Sequence, residues 1–166
     1  MLDTLLLFVF PFAMALAAAT DLLTMTIPNR LSLALAAAFL VAAPAAGMSG
    51  YDVLMHLAAG SVMLLAGILL FSMNLLGGGD AKLLAAAALW LGFDPLVMFL
   101  AYVAVFGGAL ALAILAYRSV PAAALPLPEW ALRLHGKGKP MPYGVAIAAG
   151  GLAVYPTTAW YAAFAA

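Results

Sequence analysis

Long apolar runs dominate this chain, and glycine, proline and isolated charges break them into six candidate helices. They cover about Leu2–Thr20, Leu31–Gly47, Val53–Leu75, Ala81–Leu91, Leu96–Tyr117 and Tyr143–Phe164. The breaks fall at Ile27-Pro28-Asn29, from Pro44 to Asp52, at Gly77-Gly78-Gly79, at Gly92-Phe93-Asp94-Pro95, and along the irregular stretch Arg118–Pro142. Most runs approach the roughly 20 residues that a hydrocarbon core requires. The fourth does not: at about 1.5 Å per residue it covers on the order of 17 Å. Either it borrows Asp80 and Gly92-Phe93 and thins the bilayer, or it lies partly inside the bundle. Small residues at 14–19 resemble a signal-peptide cleavage site, but Met1-Leu2-Asp3-Thr4 carries no basic residue, so the first run reads as a retained helix.

Composition turns these runs into membrane spans. The chain is 69% hydrophobic and only 7% charged, against roughly 25% charged in an average soluble domain. Its mean hydropathy is +1.20. So little polarity cannot cover a soluble surface. The expected fold is all-α: a polytopic membrane helical bundle of about six transmembrane helices, the fourth short, in a single domain over residues 1–166. The absence of cysteine excludes thiolate chemistry and Cys-type zinc sites, and two isolated histidines, His56 and His135, make a poor metal centre. No metal, no cofactor and no nucleic acid is expected; membrane lipid is.

Charge then orients the spans. With six crossings and the N-terminus outside, the inner loops hold Arg30, Lys82, Arg118, Arg133, Lys137 and Lys139, which is every basic residue present. The outer side holds Asp3, Asp52 and Asp94. The positive-inside rule favours this layout. Removing the fourth span would send Arg118, Arg133, Lys137 and Lys139 outside, so the short run is expected to cross. Both termini are then expected outside.

Asp21 and Asp80 carry the candidate chemistry. Each sits at the inner end of an apolar run, and an ionisable residue at membrane depth points to function. Two carboxylates sharing a site cannot both ionise cheaply. One can take a proton from water as it attacks a peptide carbonyl; the other, protonated, can polarise that carbonyl and protonate the leaving amine. Plainer readings exist for each element. Asp80 suits a helix N-cap, and Lys82 suits a pair with Asp80 or a snorkelling position. Asp21 suits a solvated loop, and Pro28-Asn29 a turn and cap for the second helix. Pro142-Tyr143-Gly144 suits the start of the last helix. Three glycines before Asp80 allow positive φ and close approach by another chain. His56 reads as structural, His135 has no evident partner, and tryptophan and tyrosine read as interfacial anchors.

Taken together, three stretches resemble the type IV prepilin peptidases, membrane aspartic proteases of the Gly-x-Gly-Asp class. Asp21 followed by Ile27-Pro28-Asn29 is similar to the family's Asp and hydrophobic-Pro-Asn/Asp turn. Gly77-Gly78-Gly79-Asp80-Ala81-Lys82-Leu83 is similar to its Gly-x-Gly-Asp-x-Lys-Leu element, and Pro142-Tyr143-Gly144 to its Pro-Tyr/Phe-Gly motif.

The resemblance implies that Asp21 and Asp80 are the catalytic pair, with Pro28, Asn29, Gly77, Gly79, Lys82, Pro142, Tyr143 and Gly144 in support. It implies a pilin precursor as substrate, its basic leader removed at the cytoplasmic face of the bacterial inner membrane. The chain starts directly with a span and lacks the paired cysteines associated with N-methylation in larger members. It therefore resembles the short peptidases of tight-adherence (Flp-type) pilus systems, and cleavage without methylation is expected. The rival readings are a small transporter or channel subunit, with the aspartates as an ion relay, and a non-catalytic secretion scaffold. Convincing internal repeats, which a transporter would favour, are not evident.

Overall fold

In a computed structural model, residues 2–120, 128–136 and 141–165 are described, without the side chains of residues 2–4, 164 and 165. Lys137, Lys139 and the prolines at 121, 126 and 140 lie outside the described residues. The helices are α1 (Leu2–Thr24), α2 (Asn29–Ala45), α3 (Gly50–Ser72), α4 (Gly78–Leu91), α5 (Leu96–Ser119), α6 (Glu129–His135), α7 (Tyr143–Val154) and α8 (Ala159–Ala165). No strand occurs among the described residues. Leu5–Thr24, Gly50–Ser72 and Leu96–Ser119 are each long and apolar enough to cross a membrane, and only 22–28% of their apolar windows is buried. Most of their surface thus faces outward, as a lipid-exposed helix requires.

Two helices of moderate length, α4 and α7, form the centre. Against α4 pack α3 and α2; against α7 pack α5 and α1; and α4 touches α7. Nine of the 14 residues of α4 are buried, which resolves its length problem: it is an internal helix, starting at Gly78. Small residues permit the close approach, as in membrane helix pairs generally. A Cβ on Gly67 would stand 2.9 Å from that of Ala81, and one on Gly60 would stand 3.0 Å from that of Leu89.

Cross-helix contacts fix the directions. Gly67 opposite Ala81 and Gly60 opposite Leu89 make α3 and α4 antiparallel. Lys82 meets Asn29 and Trp90 meets Leu35, so α2 and α4 run parallel. Gly144 lies by Asp21 and Gly151 by Phe10, while Gly107 lies by Tyr143 and Gly150 by Val103, so α7 opposes both α1 and α5. One end of the bundle therefore gathers the ends of α1, α3 and α5 and the starts of α2, α4 and α7. All three sequence motifs lie there.

At its other end α4 stops inside the protein, where its last carbonyls need partners. Ala88 accepts from the Gly92 amide at 2.9 Å, with Gly92 at φ +77. The Leu89 carbonyl accepts from His56 Nδ1 at 2.8 Å, so that nitrogen carries the proton. The Trp90 carbonyl accepts from Trp160 Nε1. His56 also stacks on Phe39, and Trp160 lies edge-on to both. His56 is structural, as expected from sequence.

The expectation of interfacial tryptophans is corrected for two of them. Trp90 and Trp160 are fully buried, because each N–H finds a main-chain carbonyl there; Trp90 Nε1 reaches that of Leu35 at 2.8 Å. The single last helix is also corrected: Pro156, which lacks an N–H, falls in a 3₁₀ turn over Tyr155–Thr157, and α8 restarts beyond it. Within Arg118–Pro142, α6 docks on the end of α5. Tyr117 Oη donates to the Ala131 carbonyl at 3.1 Å and Arg118 Nε to that of Leu134 at 2.8 Å. His135, expected to be partnerless, lies edge-on to Tyr117 and bonds the Val120 carbonyl.

His56→Phe keeps the ring stack but removes the donor to Leu89. Unpairing a buried carbonyl costs about 1–3 kcal/mol, so a lower unfolding midpoint in detergent is expected; an unchanged midpoint would deny that His56 caps α4.

Candidate active site

Asp21 lies in the last turn of α1, within the helix and not in the loop after it, and is 5% exposed. The helix ends where the Met25 amide donates to the Asp21 carbonyl at 2.8 Å, with Met25 at φ 57. A left-handed methionine is unusual. Thr24 steadies the turn, its Oγ1 bonding the Thr20 carbonyl at 2.7 Å and Thr26 Oγ1 at 2.8 Å. The chain thus doubles back and carries Ile27 beneath the helix end.

The Asp21 side chain is almost fully buried. Its Oδ2 accepts from the Gly144 amide at 2.7 Å, and the Val145 amide lies near it as well. Both belong to the first turn of α7, whose N–H groups have no partner within the helix. Pro142 serves as N-cap, at φ −73 and ψ 78, with no side-chain bond, so the aspartate fills the capping role from another helix. Tyr143, next in the motif, lays its ring against Gly107 of α5, where a Cβ would stand 2.7 Å away.

Asp80 reaches the same place from α4. Its carboxylate lies near the amides of Gly77 and Gly144 and feels the charge of Asp21. The two aspartates therefore lie near one another at the start of α7, where Asp21 alone accepts from the Gly144 amide. Asp80 is not the N-cap considered from sequence. Gly77 occupies that position and Asp80 is the third residue of the helix, reaching back toward Gly77 as the acidic member of a capping box does.

The glycine triplet is also corrected. Gly77 has φ −70 and ψ 145, and neither Gly78 nor Gly79 has positive φ. What the triplet supplies is room. A Cβ on Gly77 would stand 2.6 Å from Asp80 Oδ2, and one on Gly79 would stand 3.3 Å from the Ile27 Cβ. Ile27 is the residue that sequence reasoning passed over. It wedges between Gly79 and Gly144, whose Cβ would stand 2.6 Å from its Cδ1. Only its place before Pro28-Asn29 hinted at this.

Lys82 pairs with neither aspartate. Its Nζ donates to Asn29 Oδ1 at 2.8 Å, joining the second motif to the first. Pro28, not Asn29, is the N-cap of α2, and this frees the asparagine side chain for the lysine. Among the described residues no group of three or more metal-ligating side chains gathers. Asp80 and Gly77 instead open into a cleft of about 690 Å³ between α3 and α5, also lined by Phe71, Leu75, Ala104 and Tyr143.

A family model, that of the type IV leader peptidase family, matches residues 8–112. The chain belongs to that family. It is a protease of leader peptides and, with its apolar helices, a membrane protein. No curated protein and no solved structure matches it. The matched residues take in both aspartates, Ile27, Asn29 and Lys82, and end before α7, whose Gly144 amide holds Asp21.

Gly144→Ala would place a methyl 2.8 Å from Asp21 Oδ2 and 2.6 Å from Ile27 Cδ1. Leader-peptide cleavage by this variant is expected to fall about tenfold or more, a loss of one bond to a charged group. Ile27→Ala in the same chain should restore part of it. Wild-type rates in Gly144→Ala would contradict the pairing around that amide.

Proposed function

We propose that this chain is an aspartic-type endopeptidase that removes the basic leader from type IV pilin precursors of the Flp type, with Asp21 and Asp80 as its catalytic pair. The carrying observation is that Asp21, bonded to the Gly144 amide, and Asp80, brought by a different helix, lie close enough to interact beside that amide. One carboxylate accepts a proton from water as the oxygen attacks the scissile carbonyl carbon. The protonated partner gives its proton to the carbonyl oxygen; as the C–N bond breaks, the first carboxyl passes the water's proton to the amine and the partner takes back a proton from the diol. Pro28, Asn29 and Lys82 hold the Asp21 turn against α4. Gly77 and Gly79 leave space for the carboxylate and Ile27, and Pro142, Tyr143 and Gly144 present the amide that holds Asp21.

Charge placement supports cleavage at the cytoplasmic face of the bacterial inner membrane. The end of the bundle that carries the aspartates also carries Arg30, Lys82 and Arg118, with α6 and its Arg133 docked nearby. Asp52 and Asp94 sit toward the opposite end, at the starts of α3 and α5. Under the positive-inside rule the site end is cytoplasmic and both chain termini are outside. The cleft between α3 and α5 supports lateral docking of the pilin's apolar helix. Its basic leader then lies near anionic headgroups, and the scissile bond beside Gly77 and Asp80.

Reconstitution with a pilin precursor tests the pair. Asp21→Asn and Asp80→Asn should each lose at least about 100-fold in cleavage, the range for a general acid or base, while keeping their unfolding midpoints. A folded variant that cleaves normally refutes the assignment.

Ala104→Trp, an exposed position lining the cleft, tests the docking. It should raise KM several-fold for the full precursor and leave a short peptide spanning the scissile bond unaffected. Equal effects on both would place the pilin helix elsewhere.

A further inference from the structure

A second cleft, of about 390 Å³, lies on the other side of α3, between α2 and α3 with α4 as its floor. The catalytic reading uses Asn29 and Lys82 for their contact with each other and gives the cleft itself no role. Asn29, Ser32 and Lys82 supply its polar end, while Ala36, Leu57 and Leu64 are among its apolar walls. Leu57 and Leu64 are 40% and 39% exposed, so the cleft opens sideways from the bundle.

The polar end is incompletely satisfied. Ser32 is 7% exposed, yet its Oγ is the one buried side-chain polar atom without a hydrogen-bond partner among the described residues. Lys82 donates once, to Asn29, and an ammonium has three protons to give. No carboxylate lies within ion-pair distance of it among the described residues. Cationic and hydroxyl donors at the membrane-surface end, with hydrocarbon walls running toward mid-depth, match a phosphodiester joined to an acyl chain. A peptide helix would need an acidic side chain at that one level to do the same.

We propose that the α2/α3 cleft is a binding site for an anionic phospholipid, its phosphate held by Lys82 and Ser32 and one acyl chain lying along Ala36, Leu57 and Leu64. The occupant neutralises the lysine and supplies the acceptor that Ser32 lacks. Its headgroup then sits at the depth of Asp80, two residues before Lys82, and braces the Lys82–Asn29 contact that joins α4 to α2.

Native mass spectrometry of the full chain in mild detergent, titrated with phosphatidylglycerol or phosphatidylcholine, tests this. One phosphatidylglycerol should be retained in preference to phosphatidylcholine, and millimolar inorganic phosphate should not displace it. Lys82→Met should weaken retention roughly tenfold, as expected for one bond to a charged group, and Lys82→Arg should keep it. Ser32→Ala separates binding from folding: it should raise the lipid-free unfolding midpoint, because an unpaired buried hydroxyl is removed, and lower lipid retention several-fold. Ala36→Phe, which fills the cleft but spares Lys82, should abolish retention. Equal retention of both lipids overturns the proposal, as does unchanged retention in folded Lys82→Met or Ala36→Phe. A change of oligomeric state in Ala36→Phe at constant lipid count would assign the cleft to a second copy and overturn it too.

Discussion

The hydrogen bond from the Gly144 amide to the Asp21 carboxylate organises this molecule. It spans 123 positions of sequence and ties the end of α1 to the start of α7. A helix that begins inside an apolar bundle needs acceptors for its first amides, and a carboxylate inside such a bundle needs donors. Each meets the other's requirement. Because glycine has no side chain, the amide can approach without displacing Ile27, and the second aspartate can share the same place.

The surroundings enforce that meeting. α4 and α7, the central helices, are made largely of alanine, glycine and leucine, so α3 and α5 close on them tightly. This sets the level at which Asp80 emerges. The far end of α4 is held by His56 and Trp160, which take up carbonyls that would otherwise be orphaned. Asp80 is therefore positioned from both ends of its helix: by the Gly77 turn near it, and by an aromatic cluster at the opposite side of the bundle. The Lys82–Asn29 bond adds a lateral restraint between α4 and α2.

Two clefts follow from the same packing. α3 lies against α4 but leaves gaps toward α5 on one side and α2 on the other. The first gap opens at Asp80 and Asn74 and is lined mainly by apolar side chains beyond them, as a docking surface for an apolar helix would be. The second opens at Lys82 and carries an unsatisfied hydroxyl, a combination suited to a headgroup. One helix thus presents an acid and a base to different neighbours two residues apart.

Much of this was legible in the linear chain. Uninterrupted apolar runs and their Gly/Pro breaks placed the first five helices to within a few residues, but neither α6 nor the division between α7 and α8. The asymmetric placement of lysine and arginine indicated an orientation, and scarce aspartates beside three short motifs marked the candidate chemistry. Those features are local, so composition and spacing expose them. Only the tertiary structure decided that Asp21 stays helical, that Lys82 chooses Asn29 over Asp80, and that Trp90 and Trp160 are core residues. It alone revealed Ile27 as a wedge, the break at Pro156 and the unpartnered Ser32. In a chain this uniformly apolar, hydrophobicity cannot say which face of a helix turns inward. Packing of small residues and the pairing of a few buried polar groups decide it, and both depend on partners far away in sequence.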